Sequence, residues 1–332
     1  MTNATTLATG FLLAASAVVG LAAATAGRRP DDTHQIPLRM AGPFAVVRAQ
    51  VAGHDAPLRL IVDTAAGATV LDRALAARLD LVDAAPGAAH VSGAGGAAHG
   101  ITFGKATTLT IAGAQVEVRP VLADMAGMRH GDAGDGQEYD GILGNDVLRR
   151  FDVRFDVGAG VLTLSGPGDH VAGDGDAGCQ SNGFGTGRPG HLQGFGLIDI
   201  TATVPGAPGA PAALKAVVDT GAAQTVLNRA AIERLGYATD DPRLRRRDTG
   251  TRGIGGQEVD SWLTTIGEIR AGDWAVSGLE VRVAELPVFQ PLGLADQPAL
   301  ILGIDALRGV PLSISAGVTS ICVGPAARRP AA

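Results

Sequence analysis

The chain has 332 residues, 46% of them hydrophobic, with 48 Gly, 18 Pro and only two Cys. This length favours two domains over one, and the many turn formers favour short strands over long helices. A net charge of −6 and a pI near 5.6 argue against nucleic acid as a main partner.

Residues 8–26 form an uncharged Ala/Leu/Val run ending in Ala24-Thr25-Ala26. Such a run with a small-x-small end is the pattern of an export signal. No Lys or Arg precedes it, and Arg28 and Arg29 follow directly, which fits a retained membrane anchor instead. Residues 1–30 are therefore expected to be a signal peptide or an N-terminal anchor. Either puts the body outside the cytoplasm, exported (periplasmic or secreted) or attached to the membrane through residues 8–26.

A first lobe is expected over 31–165. In it "PFAVVRAQV", "LRLIVDT", "TTLTIAG", "VEVRPVLA" and "VRFDV" read as short strands, separated by turns such as "AGHDAP". A short helix follows the first Asp-Thr pair, with Leu71, Leu75 and Leu79 on one stripe and Asp72 as its N-cap. Residues 166–195, rich in Gly and Asp and without apolar periodicity, read as a flexible linker. Its "DGD" at 174–176 lacks the regular ligand positions of a calcium loop.

The second lobe, 196–325, repeats the first in the same order, and 326–332 are a tail. "LKAVVDTGAAQTVLNRAAIERL" answers "LRLIVDTAAGATVLDRALAARL" at an offset of 219 − 63 = 156. "TRGIGG" answers "VSGAGG", and "ALILGIDALRG" answers "DGILGNDVLRR". The offsets drift only from 156 to 160, so the chain is an internal duplication. The second helix carries Leu227, Ala231 and Leu235, capped by Asn228. Arg243, Arg245, Arg246 and Arg247 read as a solvated loop rather than an anion site. Cys179 and Cys322 leave two readings open: a disulfide tying linker to last strand, or two unrelated thiols.

An aspartate after an apolar run is costly in a core unless paired, hydrogen-bonded or protonated. Asp63 and Asp219 thus read as acids at the tips of two equivalent turns. If the halves pack about a pseudo-twofold axis, the tips meet there. Two touching carboxyls then share a proton, one serving as base and the other as acid, as activation of water against a carbonyl requires.

The spacing D-T-x-A-x-x-T-V-L in both copies, with apolar-apolar-Gly-x-Asp-x-Leu downstream, resembles the retropepsin-like aspartic proteases. The resemblance spans roughly residues 40–325. It implies an all-β fold of two pseudo-twofold-related barrel lobes with an active-site cleft between them, in a single chain acting as an intramolecular pseudo-dimer. It implies hydrolysis of a peptide or protein substrate by water held between Asp63 and Asp219, without metal or other cofactor. Thr64 and Thr220 would cross-link the two loops. Gly144 and Gly303 would lie beneath them, and Gly93, Gly95, Gly96, Gly253, Gly255 and Gly256 would fall in mobile flaps. Two departures stand out. Ala65 replaces the glycine of the usual triplet, which Gly221 keeps, and so predicts reduced or retuned activity. Ala66 and Ala222 lack a hydroxyl to offer the carboxylates, which predicts a pH optimum nearer neutral than pepsin's.

Other chemistry finds no motif. The Gly runs lack the third dinucleotide-fingerprint glycine and any G-K-[ST], and the seven His show no zinc spacing. Two further readings stay open on the same scaffold: a non-catalytic peptide-binding protein, and a hydrolase of a non-peptide amide.

Overall fold

The computed structural model describes residues 10–11, 33–83, 91–93, 96–98, 101–125, 139–168, 179–181, 195–206, 210–238, 240–247, 252–253, 258–318 and 320–324. Strands dominate, in two curled half-barrel sheets and a third sheet joining the halves. Most of residues 1–30, the tail and the Asp-Gly-Asp stretch lie outside the described residues. No described helix is long and apolar enough to cross a membrane.

The two halves repeat one wiring. In the first, strand Leu58–Val62 pairs antiparallel with Phe44–Val51 and parallel with Gly141–Leu143. Gly141–Leu143 pairs in turn with Val70–Asp72, which pairs parallel with Val121–Ala123. In the second, Ala212–Val218 pairs antiparallel with Gly196–Thr203 and parallel with Ala299–Leu302. Ala299–Leu302 pairs with Val226–Leu227, which pairs parallel with Glu280–Val283. Gly141–Leu143 and Ala299–Leu302 are buried along their whole length, and so read as apolar runs rather than alternations.

Both expected helices form, Arg73–Arg78 and Arg229–Arg234. Asp72 accepts from the Leu75 N–H at 3.0 Å, and Asn228 from the Ala231 N–H at 2.9 Å, which satisfies a backbone donor at each helix start.

The third sheet runs in the order Cys179–Ser181, Ser320–Val323, Leu312–Ile314, Asp152–Asp156, Val161–Ser165, His34–Pro37. At its centre Val153 pairs with Ile314, Arg154 with Ser313 and Phe155 with Leu312. The sequence repeat equates 153, 154 and 155 with 312, 313 and 314 through the offset of 159. The register is therefore self-symmetric, and the pseudo-twofold passes through the Arg154–Ser313 pair. One continuous apolar core joins the lobes through Phe155, Leu312 and Ile314.

The expected flexible linker contains strand Cys179–Ser181, which extends this sheet. Of the two cysteine readings the disulfide holds: Cys179 and Cys322 are directly opposite in register and bonded, 143 residues apart. Three of the loop arginines form surface ion pairs, Arg243–Asp241, Arg245–Glu280 and Arg246–Asp260.

Closing so long a loop restricts the unfolded chain. Replacing both cysteines by Ser should lower stability by about 2–4 kcal/mol, seen as an earlier midpoint in urea. The wild-type chain should fall to the same midpoint under reductant.

Candidate active site

Each repeat ends its strand at an acid. Asp63 follows Val62, and its N–H donates to Leu143 O at 3.1 Å; Asp219 follows Val218, and its N–H donates to Leu302 O at 3.0 Å. Both acids are fully buried at the seam between the lobes.

The next residue of each repeat ties the seam. The Thr64 N–H donates to Thr220 Oγ1 and the Thr220 N–H to Thr64 Oγ1, both at 3.1 Å. The Thr64 hydroxyl donates to Val218 O at 2.9 Å, and the Thr220 hydroxyl to Val62 O at 2.7 Å. Four crossed hydrogen bonds thus link the strand ends that carry the acids. A serine would supply the same hydroxyl, but threonine's branched Cβ restricts its rotamers and so holds the grip.

Gly144 and Gly303 lie under these loops. A Cβ at Gly144 would come within 2.5 Å of the Ala68 backbone, and one at Gly303 within 2.7 Å of the Gln224 carbonyl carbon. Only glycine permits that approach. The adjoining acids, Asp146 and Asp305, accept from the backbone N–H and hydroxyl of Thr69 and Thr225 and so brace the loops from below. Burial pushes both carboxyls up, against those hydrogen bonds. Asn145 adds a strut in one lobe only, its side-chain amide donating to Thr64 O at 2.7 Å. The repeated Gly-x-Asp pattern marks Asp146 and Asp305 without showing what they brace, and Asn145 is set apart only by Ile304 at the same place in the second repeat.

The two carboxyls lie within reach of each other but are not equivalent. Asp63 Oδ1 accepts from the Ala65 N–H at 2.9 Å and the Ala66 N–H at 2.7 Å, whereas Asp219 Oδ1 accepts from the Gly221 N–H at 2.9 Å. Among the described residues, no donor reaches Oδ2 of either acid. Burial pushes Asp63 up to about 7. Burial, and then the Asp63 charge, push Asp219 well above the usual carboxylate range. Raised in this way, both carboxyls favour the form that holds a proton.

A model of the aspartyl protease family matches residues 47–147 and 200–306, once in each half. The chain belongs to that family. No curated protein matches it.

The triplet's third position shows what the duplication changed. A Cβ at Gly221 would lie 2.2 Å from Asp63 Oδ2, so glycine is required there. Its counterpart Ala65 instead buries its methyl in the apolar cluster of the opposite lobe, with Phe195, Leu197 and Ala222. Ala66 and Ala222 are likewise fully buried.

The flap expectation divides. Val91–Gly93 and Gly96–Ala98 form an antiparallel hairpin whose first strand lies beside the turn Pro287–Phe289 of the other lobe. The hairpin thus spans the seam, with Gly93 and Gly96 near its tip. In the second half, among the described residues, Arg252–Gly253 pairs parallel with Gly10–Phe11. Gly95, Gly255 and Gly256 lie outside the described residues. Among the described residues no cluster of His, Cys, Asp and Glu is arranged to hold a metal.

Two stability effects follow from this geometry. Thr220→Val should cost about 1–3 kcal/mol, because it leaves the buried Thr64 N–H and Val62 O without their partner. Asp219→Asn should stabilise. The folded state holds a proton that the unfolded chain releases above about pH 4, so wild-type stability falls as pH rises towards the folded value. The variant's advantage should therefore be small at pH 4 and reach about 1–3 kcal/mol at pH 8, read as a difference in melting temperature.

Proposed function

We propose that the protein is a single-chain aspartic endopeptidase in which Asp63 and Asp219 activate the water that attacks a peptide bond. What carries this reading is the pair of buried carboxyls, one from each repeat, with undonated outer oxygens across a crossed-threonine seam. Both acids come from one chain, so no second copy is needed to complete the site.

The roles follow from the hydrogen bonds. Two backbone N–H donors favour the anionic form of Asp63. Asp219 is held by the Gly221 N–H, with the Ala222 N–H a smaller contribution, and it faces the Asp63 charge, so it holds the shared proton. In the reaction Asp63 takes a proton from water as its oxygen attacks the carbonyl carbon. Asp219 donates its proton to the carbonyl oxygen, giving a neutral tetrahedral diol. Collapse of the diol returns one hydroxyl proton to Asp219, the proton on Asp63 passes to the departing nitrogen, and the C–N bond breaks. The dyad ends as it began. Because both acids are buried, their charge is weakly screened and acts strongly on the polarised carbonyl.

The body is proposed to work outside the cytoplasm, after removal of a signal or while held by residues 8–26. The Cys179–Cys322 bond supports an oxidising compartment.

The purified protein should cleave a diverse peptide mixture, and Asp63→Asn and Asp219→Asn should each reduce kcat by at least about a thousandfold. Cleavage that survives either substitution would refute the dyad, and no cleavage at any pH from 3 to 8 would favour a peptide-binding role. The rate needs one proton on the pair. Burial raises both apparent values, so kcat/KM should be bell-shaped with its acid limb above the ~4 of a free carboxyl. Activity confined below pH 4 would contradict this. Gly221→Ala should abolish activity by crowding Asp63. Ala65→Gly should keep activity but shift the profile, since it loosens the loop that supplies both donors to Asp63.

A further inference from the structure

We infer that Gln224, braced by the buried guanidinium of Arg282, makes the C-terminal wall of the cleft select an acidic side chain of the bound peptide. This rests on the reading of the seam as a peptide-binding cleft.

Gln224 is half-buried and lies five positions beyond Asp219 on the same loop. The residue before it, Ala223, packs into an apolar cluster of the N-terminal lobe, and Ala68 packs against that same cluster. Ala68 is the counterpart of Gln224 by the offset of 156. The two therefore hold equivalent positions, each five residues beyond its acid.

The layer beneath them differs in kind. Val70 is paired with Val121 in the first lobe, and its counterpart Val226 is paired with Arg282 in the second. Val121 is 2% exposed and Arg282 is 1% exposed. Pseudo-symmetry thus sets a guanidinium where the other lobe has an isopropyl group. Burying that charge costs several kcal/mol, and the first lobe shows that a valine suffices for packing.

The bond between them fixes the amide's direction. Arg282 Nε donates to Gln224 Oε1 at 2.7 Å. A guanidinium has only donors, so the atom facing it must be the amide oxygen, and the NH2 group turns away. One of its protons goes to Glu280 O at 3.3 Å. The second is left for a ligand.

The surrounding charge is positive. Glu280, which attracts Arg282, is also bound by Arg245 at 2.6 Å, and Arg247 adds a further positive charge nearby. Burial first, and then Arg247, bring the Arg282 guanidinium down to about 10, so it stays charged at neutral pH. A carboxylate arriving at Gln224 would meet an N–H donor backed by the buried Arg282 cation. At Ala68, over Val121, Ala123 and Ile101, the same carboxylate would lose its hydration with nothing in return.

The test screens a randomised octapeptide mixture in two ways: binding to the full-length Asp219→Asn protein, and cleavage by the wild type. Asp or Glu should be enriched about tenfold over Asn, Gln and Leu at one position. Gln224→Leu and Arg282→Met should each abolish that enrichment while leaving apolar preferences at other positions intact. Gln224 is at the surface of the cleft, so its variant remains informative if Arg282→Met does not fold. Absence of acidic enrichment in both assays, or enrichment that survives Gln224→Leu, overturns the inference. Acidic enrichment in binding without any cleavage keeps the subsite and removes the hydrolytic reading instead.

Discussion

Four hydrogen bonds between Thr64 and Thr220 and the strand ends opposite them organise this molecule. They are the point at which two separately curled sheets become one site. Each threonine uses its hydroxyl twice, accepting from one backbone group and donating to another across the seam. Among the described residues, the buried side-chain polar atoms left without a partner are Oδ2 of Asp63 and Oδ2 of Asp219. Isolated, either acid would be a buried charge at the end of a strand. Brought together, they solve the problem jointly by keeping one proton between them, and that shared proton is what the proposed reaction uses.

A second junction on the same axis makes this arrangement stiff. The six-stranded sheet passes through both halves, with a register that maps onto itself about the Arg154–Ser313 pair. The disulfide then fastens the segment between the lobes to the last strand. Rotation of one lobe on the other would break ladder hydrogen bonds as well as the threonine grip. The acids are consequently held by the fold as well as by the backbone N–H groups that reach their carboxyls, as expected of a preorganised site.

Duplication sets up symmetry, and the later differences between the copies define direction. Ala65 against Gly221, Asn145 against Ile304, and Ala68 over Val121 against Gln224 over Arg282 all lie within the same small region. The first two bear on how each acid is held. The third sets a buried cation behind one loop where the other has an apolar side chain. A dimer of identical chains cannot make such distinctions, because any change in one half appears in the other. A fused chain can therefore assign one acid to each role and present an oriented surface to an asymmetric peptide.

The repeat, both acids, both helix caps and most strands were legible in the amino-acid order, because each rests on local pattern: apolar runs, turn residues, and side chains that cap their own helix. The glycines beneath the loops were legible only through family resemblance, since nothing local shows that another backbone passes there. The cysteine pairing was undecided because a strand inside a glycine-rich linker leaves no apolar period. The bracing roles of Asp146 and Asp305, the strut at Asn145 and the cation behind Gln224 were not legible at all. Each depends on a partner about 60 to 80 residues away. Sequence alone thus determined that there are two acid-bearing lobes. Only the tertiary structure decided that the acids meet, which oxygens are left without donors, and which wall carries charge, because those are properties of contacts made across the chain rather than along it.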